Sequence, residues 1–193
     1  RPILIFGDSF MHGAVGMAAM QRIPRVVSRF IPACPVFDHS ASGYGFDQIV
    51  LSYLESEADF ETALVVLGLM TLDLDRSLLT VRDAPKPYFE LEGDELVLRG
   101  VPLPADPEEW FRRHPPGITS FFAAFAKRQL QLAAHRGRFL ERPYRRPEKE
   151  RINSALFRAL ARRVKRRQMR AVVVLFCTRW EMRYEGWREL FVK

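Results

Sequence analysis

The chain has 193 residues, of which 48% are hydrophobic and 27% are charged. This composition is typical of one ordinary globular domain and excludes disordered, collagen-like and fibrous proteins. Two cysteines, Cys34 and Cys177, are too few for a disulfide framework, and no apolar run reaches the roughly 18 residues of a membrane span. Because the chain begins with Arg1 rather than Met, we expect a trimmed N-terminus, so targeting cannot be inferred from the missing signal peptide.

The net charge of +7 is unevenly distributed. Residues 1–100 have a balance of −6 and residues 101–193 a balance of +13, with most of the excess between Arg136 and Arg170. Such a basic stretch can attract nucleic acid, anionic lipid or an acidic polymer. A solvated helix face is the simpler interpretation, because the arginines here lie mostly off an apolar stripe. We therefore expect no nucleic-acid partner.

Short apolar runs alternate with helical patterns in residues 1–77. Strands are predicted at 2–6, 34–38 and 63–68, each the short, mostly apolar run that is typical of a buried parallel strand. Helices are predicted over about 11–30 and over 47–56, and 69–77 is predicted to be a loop.

Residues 86–116 have a different character. The segments 88–92 and 95–99 flank Gly93-Asp94, which predicts a β-hairpin. Five prolines between Pro102 and Pro116 predict a loop for the remainder. We interpret 86–116 as an insertion within a single domain spanning 1–193, because about thirty residues cannot bury a core of their own.

Two helices and a strand complete the pattern. Helices are predicted over about 118–135 and 147–169, and a buried strand over 171–177. The first helix has Ile118, Phe121, Phe122 and Phe125 on one side. The second has a core-facing apolar stripe of Ile152, Ala155, Leu156, Ala159, Leu160 and Val164. The alternation of strands and helices predicts an α/β domain whose parallel sheet is covered on both faces.

Three loops leave the carboxyl ends of the predicted strands, where open α/β sheets bind their ligands. They are 7–10, 42–45 and 68–73. A serine at a strand-to-helix turn, such as Ser9, has its hydroxyl at the mouth of the sheet and its N–H near a helix N-terminus, and both features favour acyl transfer. Alternatively, Asp8-Ser9 only caps the helix.

The three loops in this order resemble the conserved blocks of the SGNH (GDSL-type) hydrolases. Residues 3–10 (Ile-Leu-Ile-Phe-Gly-Asp-Ser-Phe) resemble the first block, whose serine is the nucleophile, here Ser9. Residues 42–48 resemble the second block, and Gly43 matches the glycine whose N–H lines the oxyanion hole with that of Ser9. Residues 65–73 resemble the third block, which ends Gly-x-x-Asn-Asp. Lys86-Pro-Tyr-Phe89, the hairpin and 101–104 resemble an insertion of one bacterial branch.

The resemblance implies a three-layer α/β/α, flavodoxin-like fold and a serine esterase that acts on a small-molecule or polysaccharide acyl ester without a cofactor. Two features depart from the family. Leu72 stands where the family has its oxyanion-hole asparagine, and the neighbouring Asp73 cannot donate when ionised. The family's Asp-x-x-His block, which supplies the general base, does not occur in the sequence. We therefore expect the sequence to be C-terminally incomplete and nearly inactive by itself.

Four histidines are available as a substitute base. His12 and His39 lie in or beside the loops at the mouth of the sheet, as do Asp8, Leu72 and Asp73, and all five are candidates to line the site. His114 and His135 are expected to be exposed. No spacing of histidine, cysteine and carboxylate predicts a metal site, and neither Gly-x-Gly-x-x-Gly nor a P-loop is present.

Two other functions are compatible with this pattern. One is acyl transfer to or from an envelope polysaccharide, which uses the same nucleophile. The other is a non-catalytic domain that has lost its triad and binds an acidic polymer through the basic helix. The bacterial cytoplasm and the cell envelope both remain possible locations.

Overall fold

A computed structural model describes residues 1–13, 16–115, 120–134 and 147–177. In chain order its strands and α-helices are β1 (Ile3–Gly7), α1 (Ser9–His12), α2 (Ile23–Phe30), β2 (Val36–Asp38), α3 (Phe46–Ser56), β3 (Leu64–Met70), α4 (Thr71–Arg76), β4 (Tyr88–Glu92), β5 (Glu95–Arg99), α5 (Pro107–Arg113), α6 (Phe121–Ala134), α7 (Pro147–Arg166) and β6 (Arg170–Phe176). Short 3₁₀ turns lie at Ala19–Gln21 and Glu57–Asp59.

The main sheet is parallel, with strand order β2-β1-β3-β6. Ile3 is in register with Val36 on one side and with Leu64 on the other, and Leu64 is in register with Arg170. If the strands of this sheet are numbered by themselves, the order is 2-1-3-4, as at the start of the flavodoxin-like order. The predicted α/β class with a mainly parallel sheet is confirmed.

Alternate residues of β1 face two different apolar clusters. Leu4 and Phe6 pack in one cluster with residues of α3 and α7. Ile3 and Ile5 pack in the other, with Met11 of α1 and residues of α2. Because successive side chains of a strand point to opposite faces, helices cover the sheet on both sides in three layers.

The helix predicted over about 11–30 is wrong in its middle. The first turn of α1 ends at Gly13, which has φ +103°, a conformation that favours glycine. The second helix does not start until Ile23, with Pro24 in its first turn. The prediction from apolar spacing therefore merged two helices, α1 and α2, into one, although α1 ends at Gly13.

Two predicted loops contain helices. Residues 69–77 continue β3 to Met70 and then form α4, because the Asp73 carboxylate accepts a hydrogen bond from the Met70 N–H. The proline-rich segment contains α5, where Asp106 caps the helix through the Glu108 N–H and Pro107 occupies the first turn. The predicted hairpin is confirmed as β4 and β5, in which Glu92 is paired with Glu95.

Helix α7 confirms the predicted apolar stripe, whereas β6 is less buried than predicted. Leu156 and Leu160 of α7 are buried in the main cluster. In β6, Val172, Val173 and Val174 are exposed, so neither face of the strand is well covered at these positions; among the described strands, β6 pairs with β3 alone. Phe121, Phe122 and Phe125 of α6 are exposed too. The predicted residues Ile118 and His135 lie outside the described residues.

Two glycines make room for Met11 on the sheet. Gly7 of β1 is in register with Gly68 of β3. A Cβ on Gly7 would lie 2.6 Å from Met11 Cγ, and one on Gly68 would overlap the same side chain. Met11 thus packs directly on the backbone of both strands, close to their carboxyl ends. This contact seats α1, and with it Ser9, on the sheet.

No helix in the described part of the chain is long and apolar enough to cross a membrane. Cys34 and Cys177 are both half-buried.

Candidate active site

Ser9 is the first residue of α1, directly beyond the carboxyl end of β1. The preceding Asp8 caps the helix, since its carboxylate accepts from the Phe10 N–H at 2.9 Å. Capping and presentation of Ser9 are therefore compatible, and the sequence alternative of a simple cap does not compete with a catalytic role. Ser9 is partly exposed, and its hydroxyl makes no hydrogen bond within the described ranges.

The loop that contains Gly43 is tied to the two residues before Ser9. The Ala41 N–H donates to Gly7 O at 3.0 Å. Tyr44 O accepts from Arg76 Nη1, which also contacts the Asp8 carboxylate. Gly43 lies between these two attachments, so the second block and the nucleophile turn share one edge of the sheet.

Gly43, which is buried, and Ser9, which is partly exposed, both have backbone N–H donors. Gly43 has φ +86°, in the left-handed region that favours glycine. Neither its N–H nor that of Ser9 donates to another described residue. Unpaired N–H groups near a helix N-terminus are suited to a developing negative charge.

A buried cluster of charges underlies this edge. Arg76 Nη1 lies 3.1 Å from an Asp8 oxygen and 2.9 Å from an Asp73 oxygen, and both carboxylates are fully buried. Burial raises the pKa of Asp73 to about 7; the nearby Asp8 adds to the rise, while the Met70 N–H and Arg76 oppose it. The cluster connects the end of β1 to α4 and holds the turn that carries Ser9.

Sequence reasoning missed Arg76. It lies three residues after Asp73 on α4, so a helix prediction there would have placed the two on one face. Because 69–77 was predicted to be a loop, that spacing carried no signal.

Leu72 and Asp73 occupy the end of the third block, but neither offers an oxyanion donor. Leu72 lies in the first turn of α4 and is 45% exposed. Asp73 points inward and accepts from Met70 N and Arg76. Its role in these contacts is structural.

The two nearby histidines have partners other than Ser9. His12 Nδ1 is 3.4 Å from an Asp38 oxygen but makes no hydrogen bond with a described residue, so Asp38 does not orient the ring as the acid of a triad would. Its Nε2 is 3.3 Å from Arg22 Nη1. His39 stacks on Phe6 with ring centroids 4.9 Å apart, and burial lowers its pKa. The described contacts therefore give Ser9 no base.

The remaining predicted site residues lie elsewhere. His114 is exposed and stacks on Trp110, and His135 lies outside the described residues. Histidine, cysteine and carboxylate side chains form no group of three that could hold a metal ion within 1–13, 16–115, 120–134 and 147–177.

A groove of about 820 Å³ lies between the hairpin and α7. Its apolar floor includes Val50, Leu54 and Leu96, and four arginines line it: Arg158, Arg162, Arg163 and Arg166. Arg163 pairs with Glu57 at 3.2 Å. The other three make no ion pair with a described residue. The basic helix face is thus solvated, as predicted, but it also borders a concave surface.

Comparison with known proteins adds little to this geometry. No protein-family profile matches the chain, and neither does any curated protein. The crystal structure of TesA is similar over 41% of this chain and 46% of TesA, with 23% sequence identity and a TM-score of 0.36. The match spans less than half of TesA, and so slight a similarity carries no argument about activity. The fold class rests on the sheet order and the helical layers described above.

Proposed function

We propose that the chain is a serine ester hydrolase of the SGNH type with Ser9 as its nucleophile. The observation that carries this proposal is the pair of unpaired N–H groups, on Ser9 and Gly43, in two loops joined at the carboxyl edge of the sheet. Such an edge is where α/β sheets bind ligands, and two backbone donors beside a serine hydroxyl are what acyl transfer requires.

In this mechanism the Ser9 hydroxyl oxygen attacks the ester carbonyl, and the hydroxyl proton passes to a base. The carbonyl oxygen gains a negative charge, which the N–H groups of Ser9 and Gly43 stabilise. The alcohol leaves with a proton, and water then hydrolyses the acyl–serine ester to regenerate the hydroxyl. Asp8, Arg76 and Asp73 hold the turn and take no part in the proton transfer.

Turnover by this chain is expected to be slow. A serine hydroxyl needs a base within about 2.6–3.2 Å at neutral pH, and both His12 and His39 are engaged elsewhere. An oxyanion hole and substrate binding can still leave about 10³–10⁴-fold acceleration over water. The lack of a base also slows phosphonylation of Ser9, but that label is stoichiometric and accumulates during a long incubation, so it is a sharper test than the rate of hydrolysis.

A fluorophosphonate probe should label the chain, and Ser9→Ala should abolish both the labelling and the hydrolysis of p-nitrophenyl acetate. Ser42→Ala is the matched control, because Ser42 is exposed in the neighbouring loop. Mass spectrometry of the labelled peptide identifies the residue that reacts. Labelling that persists in Ser9→Ala, or that is lost in Ser42→Ala instead, would contradict the assignment.

The arginine-lined groove favours a second candidate function, a non-catalytic domain that binds an acidic polymer. Arg158, Arg162 and Arg166 recur at intervals of one helical turn and have no described ion-pair partner. A polyanion released by salt, with affinity that falls in the double variant Arg162→Gln and Arg166→Gln, would support this function. Tight polymer binding without any labelling of Ser9 would favour it over the hydrolase.

A further inference from the structure

Arg82 lies directly on the proposed oxyanion glycine. A Cβ built on Gly43 would overlap Arg82 Nη1, and it would lie 2.7 Å from Cζ and 3.5 Å from Nη2. The guanidinium therefore occupies the space that a side chain at position 43 would fill. Glycine is required there for two reasons: its φ of +86° and this close approach.

The loop that carries Arg82, residues 80–86, is held in place at both ends. Val81 and Pro85 form an isolated antiparallel bridge, and the Lys86 N–H donates to Thr80 O at 3.1 Å. Lys86 then forms a buried ion pair with Asp47 in the first turn of α3. Since α3 begins directly after the Gly43 loop, the 80–86 loop is attached to the element it packs against.

The two arginines at this edge, Arg76 and Arg82, differ in how fully their charge is paired within the protein. Arg76 is 12% exposed and contacts two buried carboxylates and a backbone carbonyl. Arg82 is 36% exposed, and its partner Asp83 is 88% exposed at 3.1 Å. An ion pair with so exposed a carboxylate contributes little and exchanges readily. Against the Gly43 loop, Arg82 thus offers a guanidinium that is packed on one side and partly exposed on the other.

We propose that Arg82 binds a carboxylate on the substrate, so that this site acts on esters whose acyl part carries a negative charge. The planar guanidinium presents paired N–H donors that match a carboxylate, and its contact with Gly43 places them beside the oxyanion donor. The proposal rests on Ser9 being the nucleophile, because that assignment puts the ester carbonyl next to Gly43.

The activity test compares mono-p-nitrophenyl adipate with p-nitrophenyl hexanoate. The two esters have the same chain length and differ in a terminal carboxylate against a methyl group. The wild-type chain should have the higher kcat/KM for adipate. Because Arg82→Gln removes a charge-assisted hydrogen bond, it should lower kcat/KM for adipate about 10–100-fold more than for hexanoate.

Arg99→Gln is the matched control for charge. Arg99 is 43% exposed on the hairpin, where it pairs with Glu90 and Glu92, and its loss should leave the adipate-to-hexanoate ratio unchanged. An equal fall for both esters in Arg82→Gln would assign Arg82 to the oxyanion or to loop structure and overturn the proposal. Unchanged kcat/KM values for both esters would overturn it too.

A binding test does not depend on turnover. In Ser9→Ala, ligand-observed NMR should show that monomethyl adipate binds more tightly than methyl hexanoate, and Arg82→Gln should remove the difference. If the difference in affinity persists in the double variant Ser9→Ala and Arg82→Gln, and that variant unfolds at the same temperature as Ser9→Ala, the anion site is not Arg82. That conclusion holds whether or not a fluorophosphonate labels Ser9 in the wild-type chain. If labelling fails but the Arg82-dependent difference is present, the hydrolase assignment fails and the anion site stands.

Discussion

The buried ion pair between Lys86 and Asp47 gives the sharpest test of how this edge of the fold is held. Lys86 is 6% exposed and Asp47 is fully buried. Burial raises the pKa of Asp47 and lowers that of Lys86, and each group opposes this effect in the other. Lys86→Met keeps much of the apolar stem but removes the ammonium, which leaves the carboxylate buried without its counter-ion.

Breaking a buried pair by removing one partner typically costs about 3–5 kcal/mol. We expect that loss in the free energy of unfolding of Lys86→Met, measured by urea denaturation at pH 7 with an unchanged m-value. The loss should shrink as the pH falls, because the unpaired Asp47 carboxyl then takes up a proton. Lys165→Met removes an exposed lysine and should change stability by no more than about 0.5 kcal/mol.

The double variant Lys86→Met and Asp47→Asn separates pairing from packing. The amide introduced by Asp47→Asn retains a side-chain oxygen that can accept from the Gln48 N–H, as the Asp47 carboxylate does at 2.9 Å, and no charge is left unpaired. The double variant should therefore lose less than the two single losses combined, by at least about 1 kcal/mol. Additive losses would show that the pair is not coupled and would refute the reasoning.

Three further expectations concern the core, the charge cluster and the oxyanion hole. Leu156→Ala should lower the free energy of unfolding by about 2–5 kcal/mol, because Leu156 is fully buried, whereas Arg162→Gln and Arg166→Gln should each cost little; a larger loss from the charge changes would be inconsistent with a solvated face. Asp73 has a pKa of about 7 in the fold against 3.8 as its ordinary value. Between these pH values the unfolded chain loses the Asp73 proton more readily than the folded chain, so the free energy of unfolding falls as the pH rises. Asp73→Asn should gain stability relative to the parent chain over that interval, and pH-independent differences in urea titrations would argue against it. Leu72→Asn should raise turnover of p-nitrophenyl acetate, by at most about 10²–10³-fold, unless another group already donates to the oxyanion.

The elements marked by a clear apolar pattern or turn signal of their own could be predicted from the sequence. Strand β1 and the stripe of α7 have the apolar spacing that parallel sheets and core-facing helices require. The hairpin is marked by Gly93-Asp94. Helix α4 was missed because six residues are too few for a periodic pattern, and its stability depends on contacts made through Asp73.

The residues around Ser9 were only partly predictable. Ser9 and Gly43 belong to local motifs, so their positions follow from short segments. Arg76 and Arg82 reach the site through contacts with Asp8 and Gly43, about 70 and 40 residues away along the chain, and no local pattern encodes such contacts. The exposure of Val173 could not be predicted either, since an apolar strand does not show which of its faces the rest of the fold covers.

The seating of Met11 on Gly7 and Gly68 makes three positions interdependent in size. Enlarging Gly68 to alanine would force Met11 outward and lift the helix that carries Ser9. A shorter side chain at position 11 could accommodate that alanine, so the two changes should be tolerated together better than Gly68→Ala is tolerated alone. The position of Ser9 therefore depends on residues beneath its helix as well as on those around it. Substitutions confined to the surface near Ser9 would leave unchanged the depth at which α1 rests on the sheet.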